Sequence, residues 1–217
     1  MGDFKPLNDR IKKQYYDINT SDNIWKKVDP DSELYMVMDA TSSYNQIRCS
    51  PETNNMMCIA LPSKSCTRYF HFQTTGQGCA NSGPAWCAAS DEELKGVVWK
   101  DAEKGDDDAL AQAKNEEDMI PKLTRLFKAV RAGNLTFSKR KIQVGQTVEF
   151  GGYVIDKNQK KAIPRKVYSI LGYPEPENEA ELKRFLGLCG QFGQFFPDLS
   201  HMGKPLRELL KNIELSI

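Results

Sequence analysis

Short apolar runs separated by polar residues predict a chain that mixes strands with helices. One of these runs, residues 35–38, leads straight into Asp39, and Thr41, Ser42 and Ser43 follow it. A short apolar run predicts a buried strand, and hydroxyl residues after it predict the start of a helical turn. Asp39 therefore lies where a buried strand ends. A carboxylate there either caps the next turn or is paired with a cation, since an unpaired buried charge is costly.

A second pattern predicts a hairpin. Residues 56–61 and 67–73 are strand-like and flank a turn at residues 62–65. Tyr69 and Phe70 give this hairpin aromatic bulk. Aromatic side chains beside basic ones either stack on nucleic-acid bases or, more commonly, fill a core, and the sequence leaves both alternatives open.

The second half of the chain predicts further elements. Residues 109–132 have apolar positions at helical spacing, with Pro121 as a possible break. Residues 135–141 predict a strand that ends in a basic cluster of Lys139, Arg140 and Lys141. Residues 148–155 predict a strand that a glycine pair interrupts. Several helices are expected after residue 163.

Composition narrows the class of protein. No apolar run is long enough to span a membrane, and the first residues do not form a signal peptide, so we expect an intracellular protein of the cytoplasm or nucleus with no membrane partner. The six cysteines form no Cys-x-x-Cys pair. Reduced thiols are therefore expected, and a zinc site is not.

Charge is spread unevenly although the net charge is only +1. Residues 101–118 hold 2 basic and 8 acidic side chains, whereas residues 122–217 hold 17 basic and 9 acidic ones. The basic half either attracts phosphate backbones or is an ordinary solvated surface. RNA or DNA is therefore one candidate partner, and a protein partner or an oligomer is another.

The stretch around Asp39 resembles the first catalytic motif of the reverse transcriptases of gypsy-type long-terminal-repeat retrotransposons. In that family an apolar strand ends in Asp, and Ser-(Gly/Ala)-Tyr-x-Gln-Ile follows, which is matched here in order by Asp39, Ser42, Ser43, Tyr44, Gln46 and Ile47. The resemblance implies that Asp39 binds two magnesium (or manganese) ions. It also implies that Tyr44 lies under the sugar of the incoming nucleotide and excludes a 2′-hydroxyl.

Residues 74–86 resemble the second motif of the same family. Gln77 and Gly78 match its Gln-Gly pair, and a helix is expected to follow from about Pro84. In the family this loop lies under the template base and the nucleotide. Gly83 separates Ser82 from Pro84 where the family has them adjacent, so the loop differs from the pattern there.

The third motif, aromatic-x-Asp-Asp, resembles Trp99 to Ala102. The resemblance gives Asp101 as the first Asp and Ala102 in place of the second, so the metal would be held by Asp39 and Asp101, with Glu103 as a displaced third carboxylate. Residues 103–108 are too acidic for a buried return strand. The sequence therefore predicts a degenerate active site in which the usual hairpin is missing or remodelled.

The C-terminal part resembles the family's primer grip and thumb. The Val-x-Phe-Leu-Gly-x-x-Ile element that grips the primer end corresponds to residues 148–155, with the primer-grip positions Phe150, Gly151, Gly152 and Tyr153. Residues 181–187 match the thumb helix Glu-Leu-(Arg/Lys)-x-Phe-Leu-Gly. The predicted fold is α+β, an antiparallel polymerase-type palm sheet with packed helices plus a small helical thumb. The expected domains are 1–160, truncated fingers and palm, and 161–217, thumb.

Three functions follow from this resemblance. We predict a retroelement-derived, reverse-transcriptase-like domain without polymerase activity that serves in nucleic-acid binding or protein assembly. One alternative is a fragmentary RNA-directed DNA polymerase with a two-metal mechanism, which would need Mg²⁺ or Mn²⁺. The other is a non-enzymatic protein scaffold.

Overall fold

The computed structural model of the chain describes residues 3–157, 159–196 and 198–214. It divides into two compact units, residues 1–151 and residues 152–217. The sequence-based boundary was placed later, after residue 160. The first unit contains these helices and strands: α1 Lys5–Asn8, α2 Ser21–Trp25, β1 Leu34–Asp39, α3 Pro51–Met56, β2 Cys58–Pro62, β3 Thr67–His71, α4 Ser82–Glu93, β4 Ala102–Lys104, β5 Asp108–Ala113, α5 Glu116–Ala132, β6 Gln143–Gly145 and β7 Thr147–Phe150.

A four-stranded antiparallel sheet organises the first unit. Its strand order is β4-β5-β1-β6, so the predicted strand β1 lies in the interior with β5 on one side and β6 on the other. Met36 and Met38 of β1 are fully buried, and they share a core with Met119 and Leu126 of helix α5. The antiparallel sheet with a packed helix confirms the predicted fold class.

Helix α5 begins later than its apolar spacing suggested. Residues 108–113 form β5 instead of the first turns of the helix, because Leu110 and its alanine neighbours are buried in the sheet between β4 and β1. Asn115 then caps the helix, and its Oδ1 accepts a hydrogen bond from the Asp118 amide at 2.9 Å. Pro121 lies inside α5 without dividing it. The helix predicted for residues 109–132 is therefore wrong over its first third.

Residues 135–141 do not form the predicted strand. Phe137 makes a single β-bridge to Ala40, and Lys139–Lys141 form one turn of 3₁₀ helix. The amide of Ser138 donates to the carbonyl of Asp39 at 2.8 Å. This segment therefore crosses the end of β1 instead of adding a strand to the sheet.

Strands β2 and β3 form the hairpin that the sequence predicted. They pair antiparallel, with Ile59 opposite Phe70 and Ala60 opposite Tyr69. They make a separate two-stranded sheet and pair with no other strand of the described chain. Of the two interpretations of their aromatic residues, core filling is excluded, because Tyr69 is 68% exposed and Phe70 is 46% exposed.

The second unit combines a strand pair with helices. Strands β8 and β9 pair antiparallel, and a helical segment follows as predicted. Asn178 caps α7, with its Oδ1 3.0 Å from the Glu181 amide, and the Glu181 carboxylate accepts a hydrogen bond from the Glu177 amide at 3.0 Å. The elements are β8 Tyr153–Asp156, β9 Gln159–Ala162, α6 Pro164–Leu171, α7 Glu179–Gly190, α8 Leu199–Met202 and α9 Lys204–Glu214. None of the helices in the described chain is long and apolar enough to cross a membrane.

Candidate active site

The hairpin that carries the aspartates lies between β4 and β5. The chain turns at Gly105, Asp106 and Asp107, and the Gly105 amide donates to the Asp108 carbonyl at 2.8 Å. The acidic run is therefore a turn and not a failed strand. The buried return strand, predicted to be absent, is β5, which starts at Asp108 and continues into Ala109 and Leu110, each 1% exposed. The prediction that the hairpin is missing is wrong.

Strand pairing brings this turn to the end of β1. Asp39 lies directly opposite Asp108 in the antiparallel register, and the Ala40 amide donates to the Asp107 carbonyl at 2.8 Å. Burial, followed by the negative charges of Asp39 and Asp107, raises the pKa of Asp108 to about 6. Burial also raises the pKa of Asp107, although a hydrogen bond from Ser43 opposes this. Asp39, Asp107 and Asp108 thus lie close together at the end of β1, and the raised pKa values show that their negative charge is not fully neutralised.

Lys141 supplies positive charge to this cluster. Its Nζ lies 2.6 Å from Asp39 Oδ1, and this hydrogen bond raises the pKa of Lys141. The contact depends on the bond between Ser138 and Asp39, which holds residues 138–141 against the end of β1. Lys139 and Arg140 of the same basic cluster are exposed.

A cavity of about 260 Å³ opens beside the carboxylates. Asp39, Asp107 and Lys141 line it together with Tyr44 and Gln77. Burial, then the charges of Asp106 and Asp107, raises the pKa of Tyr44, so its hydroxyl stays protonated at neutral pH. The structure therefore brings four of the predicted site residues, Asp39, Tyr44, Gln77 and Lys141, to one cavity.

Gly78 forms the adjoining backbone. Its φ of +97° belongs to the left-handed region, which glycine adopts at little cost. Its carbonyl accepts a hydrogen bond from Asn8 Nδ2 at 2.8 Å. The following helix α4 begins at Ser82, two residues before the predicted start, and Gly83 is accommodated in its first turn with open space around it.

Asp101 lies at the other end of the sheet. It precedes β4, whose first residue Ala102 pairs with Ala111, three positions along β5 from Asp108 and thus about 10 Å along the strand. The Asp101 carboxylate is held by Arg125 through two bonds, at 2.6 and 2.7 Å. These bonds lower its pKa. The structure does not bring Asp101 to Asp39.

Glu103 also points away from the carboxylate cluster. It lies in β4 and forms an ion pair with Lys27 at 3.2 Å. Ala102, which stood for the second Asp in the sequence comparison, is a buried residue of the main core. The structure therefore does not favour the motif match at residues 99–102, because another pair of aspartates, Asp107 in the hairpin turn and Asp108 at the start of β5, lies at the end of β1.

Similar proteins were found by sequence and by structure. The chain is 23% identical over 96% of its length to the retrovirus-related Pol polyprotein of transposon gypsy from Drosophila melanogaster, and 24% identical over 96% to the transposon Tf2-3 polyprotein of Schizosaccharomyces pombe. It spans 20% and 15% of those proteins. Its fold matches the foamy viral protease-reverse transcriptase solved with double-stranded DNA, with a TM-score of 0.88 over 97% of this chain, 36% of that chain and 18% identity. No protein-family model matches.

This chain has a reverse-transcriptase-like fold. A second foamy viral structure, solved with an RNA/DNA hybrid, matches with a TM-score of 0.83 over 97% of this chain and 28% of that chain. The likeness at this identity shows the fold. The resemblance inferred from Asp39 and its neighbours is thereby confirmed.

The predicted primer-grip residues of the reverse-transcriptase-like domain fall on a strand end and a turn. Phe150 is buried at the end of β7. Gly151 and Gly152 have φ values of +55° and +86°, as the predicted turn requires, and a side chain at Gly151 would collide with Ser21. Tyr153 begins β8, where the Lys160 ammonium lies 3.8 Å from its ring centre.

A charged network under the aspartate turn was not predicted from the sequence. Lys104 is only 3% exposed, and its Nζ lies 3.1 Å from Asp91 of helix α4. Tyr16 donates to the same carboxylate at 2.8 Å, which raises the pKa of Tyr16 to about 12. Trp86 fixes the turn itself, since its Nε1 donates to the Asp106 carbonyl at 2.8 Å. One signal was available, a lone Lys within an acidic run.

The carboxylates fit a divalent ion that also binds a phosphate. Mg²⁺ in proteins uses one or two carboxylates together with substrate phosphates, and Asp39 and Asp107 supply two at one cavity. Asp107 Oδ1 is buried without a hydrogen-bond partner in the described chain. Among the described residues, no three His, Cys, Asp or Glu side chains converge into a metal cage. The donor set therefore suits an ion completed by substrate.

Proposed function

We propose that this domain is the palm and thumb part of an RNA-directed DNA polymerase, with Asp39 and Asp107 as the metal-binding carboxylates. One observation carries the proposal. Asp39, which ends β1, and Asp107, in the turn that leads into the paired strand β5, line one cavity together with Tyr44 and Gln77. Carboxylates that converge on two ions are the requirement of two-metal phosphoryl transfer.

The chain's own residues would divide the work. Bound Mg²⁺ or Mn²⁺ would stabilise the charge that develops on the attacking and leaving oxygens. Asp39 and Asp107 bind and orient the ions, while Asp108 adds negative charge behind them. Tyr44 contributes a ring beside the cavity, which suits contact with a sugar. Gln77 and the open backbone at Gly78 suit contact with a base.

The predicted loss of polymerase activity remains a prediction, but its main premise has changed. It rested on Ala102 in place of a catalytic Asp and on an acidic run taken to replace the return strand. Instead, Asp107 lies in the hairpin turn, Asp108 begins β5, and β5 is a return strand with buried apolar residues. Both observations favour a working site.

Primer extension on RNA and DNA templates, with Mg²⁺ and then Mn²⁺, tests the proposal. We expect extension that Asp39→Asn and Asp107→Asn each abolish, because each removes a metal-binding oxygen. Asp101→Asn is the matched control, and its folded fraction should keep the activity. Extension that survives Asp107→Asn but not Asp101→Asn would reject this site and restore the one inferred from residues 99–102.

Nucleic-acid binding without catalysis is the second candidate function. The contact between Lys141 and Asp39 favours it, since an ammonium at 2.6 Å occupies one of the two carboxylates. This candidate predicts affinity for a primer–template that falls steeply with salt, with no extension in either metal. Extension by the unmodified chain would reject it.

A further inference from the structure

The β2–β3 hairpin is a solvent-exposed surface with an unusual composition. Every residue of β3 is exposed, and four of the five residues of β2 are exposed as well. Its large exposed side chains are Leu61, Tyr69 and Phe70. Two aromatic rings on an isolated two-stranded sheet gain little stability there, because three or more strands or a packed helix are usually needed to bury one face.

Charge on the hairpin has one sign. The chain holds no acidic residue between Glu52 and Asp91, whereas Lys64 lies in the hairpin turn and Arg68 lies in β3. Neither basic side chain forms an ion pair within the part of the chain that the structure describes. The surface is therefore positive and aromatic, which matches a phosphate backbone with exposed bases.

The register places charge and ring side by side. Arg68 and Phe70 are two positions apart in β3 and so project from the same face. Leu61 lies opposite Arg68 and extends the apolar part of that face. Tyr69 projects from the other face beside Ala60, whose small side chain leaves the ring uncovered. Each face thus offers one exposed ring.

The hairpin is joined firmly to the candidate active site. At its base Met57 is 1% exposed, and its carbonyl accepts a hydrogen bond from the Phe72 amide at 3.1 Å. Six residues after His71 the chain reaches Gln77 at the cavity, and on the way the Thr75 amide donates to the Ile47 carbonyl at 2.9 Å. The protein residues between the hairpin and Gln77 can span at most about 25 Å. A nucleic-acid strand bound at the cavity would therefore reach the hairpin within that distance.

We propose that the β2–β3 hairpin is a stacking platform for single-stranded nucleic acid, on which Tyr69 and Phe70 contact bases and Arg68 and Lys64 contact phosphates. This inference rests on the proposed function only in requiring that the domain binds nucleic acid. Single-stranded nucleic acid is favoured because a duplex hides the base faces that exposed rings recognise.

The test compares two probes on the whole chain. One is a blunt duplex, and the other is the same duplex with a 5′ single-stranded extension of about ten nucleotides. We expect the extension to tighten binding, measured by fluorescence anisotropy. Tyr69→Ala or Phe70→Ala should remove that gain by a factor on the order of ten, with duplex affinity unchanged. Phe127→Ala is the control, since this phenylalanine is 42% exposed on helix α5.

Salt dependence tests the basic residues independently. Arg68→Gln should reduce the slope of log affinity against log salt by about one for the extended probe. Arg131→Gln, an exposed arginine of α5, is its control. If the extension adds no affinity, or if neither ring matters, this inference fails while duplex binding keeps the proposed function standing. If neither probe binds, both fail. If Phe70→Ala instead dissolves a dimer without changing probe binding, the hairpin is a protein interface and this inference is overturned.

Discussion

The two ends of the central sheet hold buried or half-buried carboxylates that differ in how far their negative charge is neutralised. At one end, Asp101 is 5% exposed and receives two bonds from Arg125. At the other end, Lys141 forms an ion pair with Asp39, while the pKa values of Asp107 and Asp108 stay raised despite the positive charges of Lys104 and Lys141. Asp101 is a satisfied structural carboxylate, whereas the cluster keeps an excess of negative charge. An excess of this kind costs stability and is retained where an outside cation or proton is to be bound.

Removing the partner of Asp101 should have the largest effect on the stability of the fold. Arg125→Met leaves the Asp101 carboxylate buried without its partner, and an unpaired buried carboxylate is strongly destabilising. The pKa of Asp101 is lowered in the folded chain. Its stabilising effect therefore exists above the ordinary pKa of about 4 and is lost as pH falls through the folded value.

Chemical denaturation at pH 7 and at pH 3 measures this effect. The unmodified chain should lose more stability than Arg125→Met when the pH is lowered. Equal losses in the two proteins would show that the ion pair adds nothing, and the contrast between the two ends of the sheet would then disappear.

Removing a negative charge from the cluster of Asp39, Asp107 and Asp108 should instead increase stability. The pKa of Asp108 is raised to about 6, so the folded state binds a proton more readily than the unfolded state. Stability therefore falls as pH rises from about 4 to about 6. Asp108→Asn should stabilise the metal-free domain at pH 7 by at most about 3 kcal/mol, from two pKa units at about 1.4 kcal/mol each. The gain should vanish below pH 4, and a gain that persists there has another cause.

Removing Lys141 gives the smallest expected change and sharpens the comparison. Lys141→Met frees Asp39 and removes a positive charge, so Mn²⁺ should bind several-fold more tightly, as measured by titration of free Mn²⁺ with electron paramagnetic resonance. Lys139→Met is the control from the same 3₁₀ turn. Unchanged Mn²⁺ affinity in Lys141→Met would mean that the ammonium does not compete with a metal ion.

Much of the fold followed from local pattern. The apolar run before Asp39 and the β2–β3 hairpin each depend on neighbours in sequence, and both were predicted. The carboxylate partner of Asp39 did not follow in this way, because Trp99-Lys100-Asp101 imitates the third motif while Gly105 replaces the aromatic residue that should precede Asp107. Only strand pairing with β1 distinguishes the two. The apolar run at residues 109–111 was the available signal.

The side-chain network under the turn could not be derived from local pattern, which offered only a lone Lys within an acidic run. A buried Lys104 is favourable only because Asp91 arrives from a helix earlier in the chain. The exposure of Tyr69 and Phe70 in β3 could not be predicted either, because the local sequence is the same whether or not a third strand covers them. Contacts between residues far apart in sequence determine whether such side chains are buried, and local periodicity does not reveal these contacts.

Gln46 bears on how the site opens. Its amide nitrogen donates to the carbonyls of Thr41 at 2.8 Å and Thr136 at 2.9 Å, and its oxygen accepts from the Thr136 amide at 2.8 Å. One side chain thus latches the segment that ends in Lys141 to the segment after β1. The position of Lys141 beside Asp39 therefore depends on a side chain that contacts neither residue. The Thr136 amide should exchange with deuterium slowly, and Gln46→Ala should speed that exchange, because it removes the acceptor of this amide.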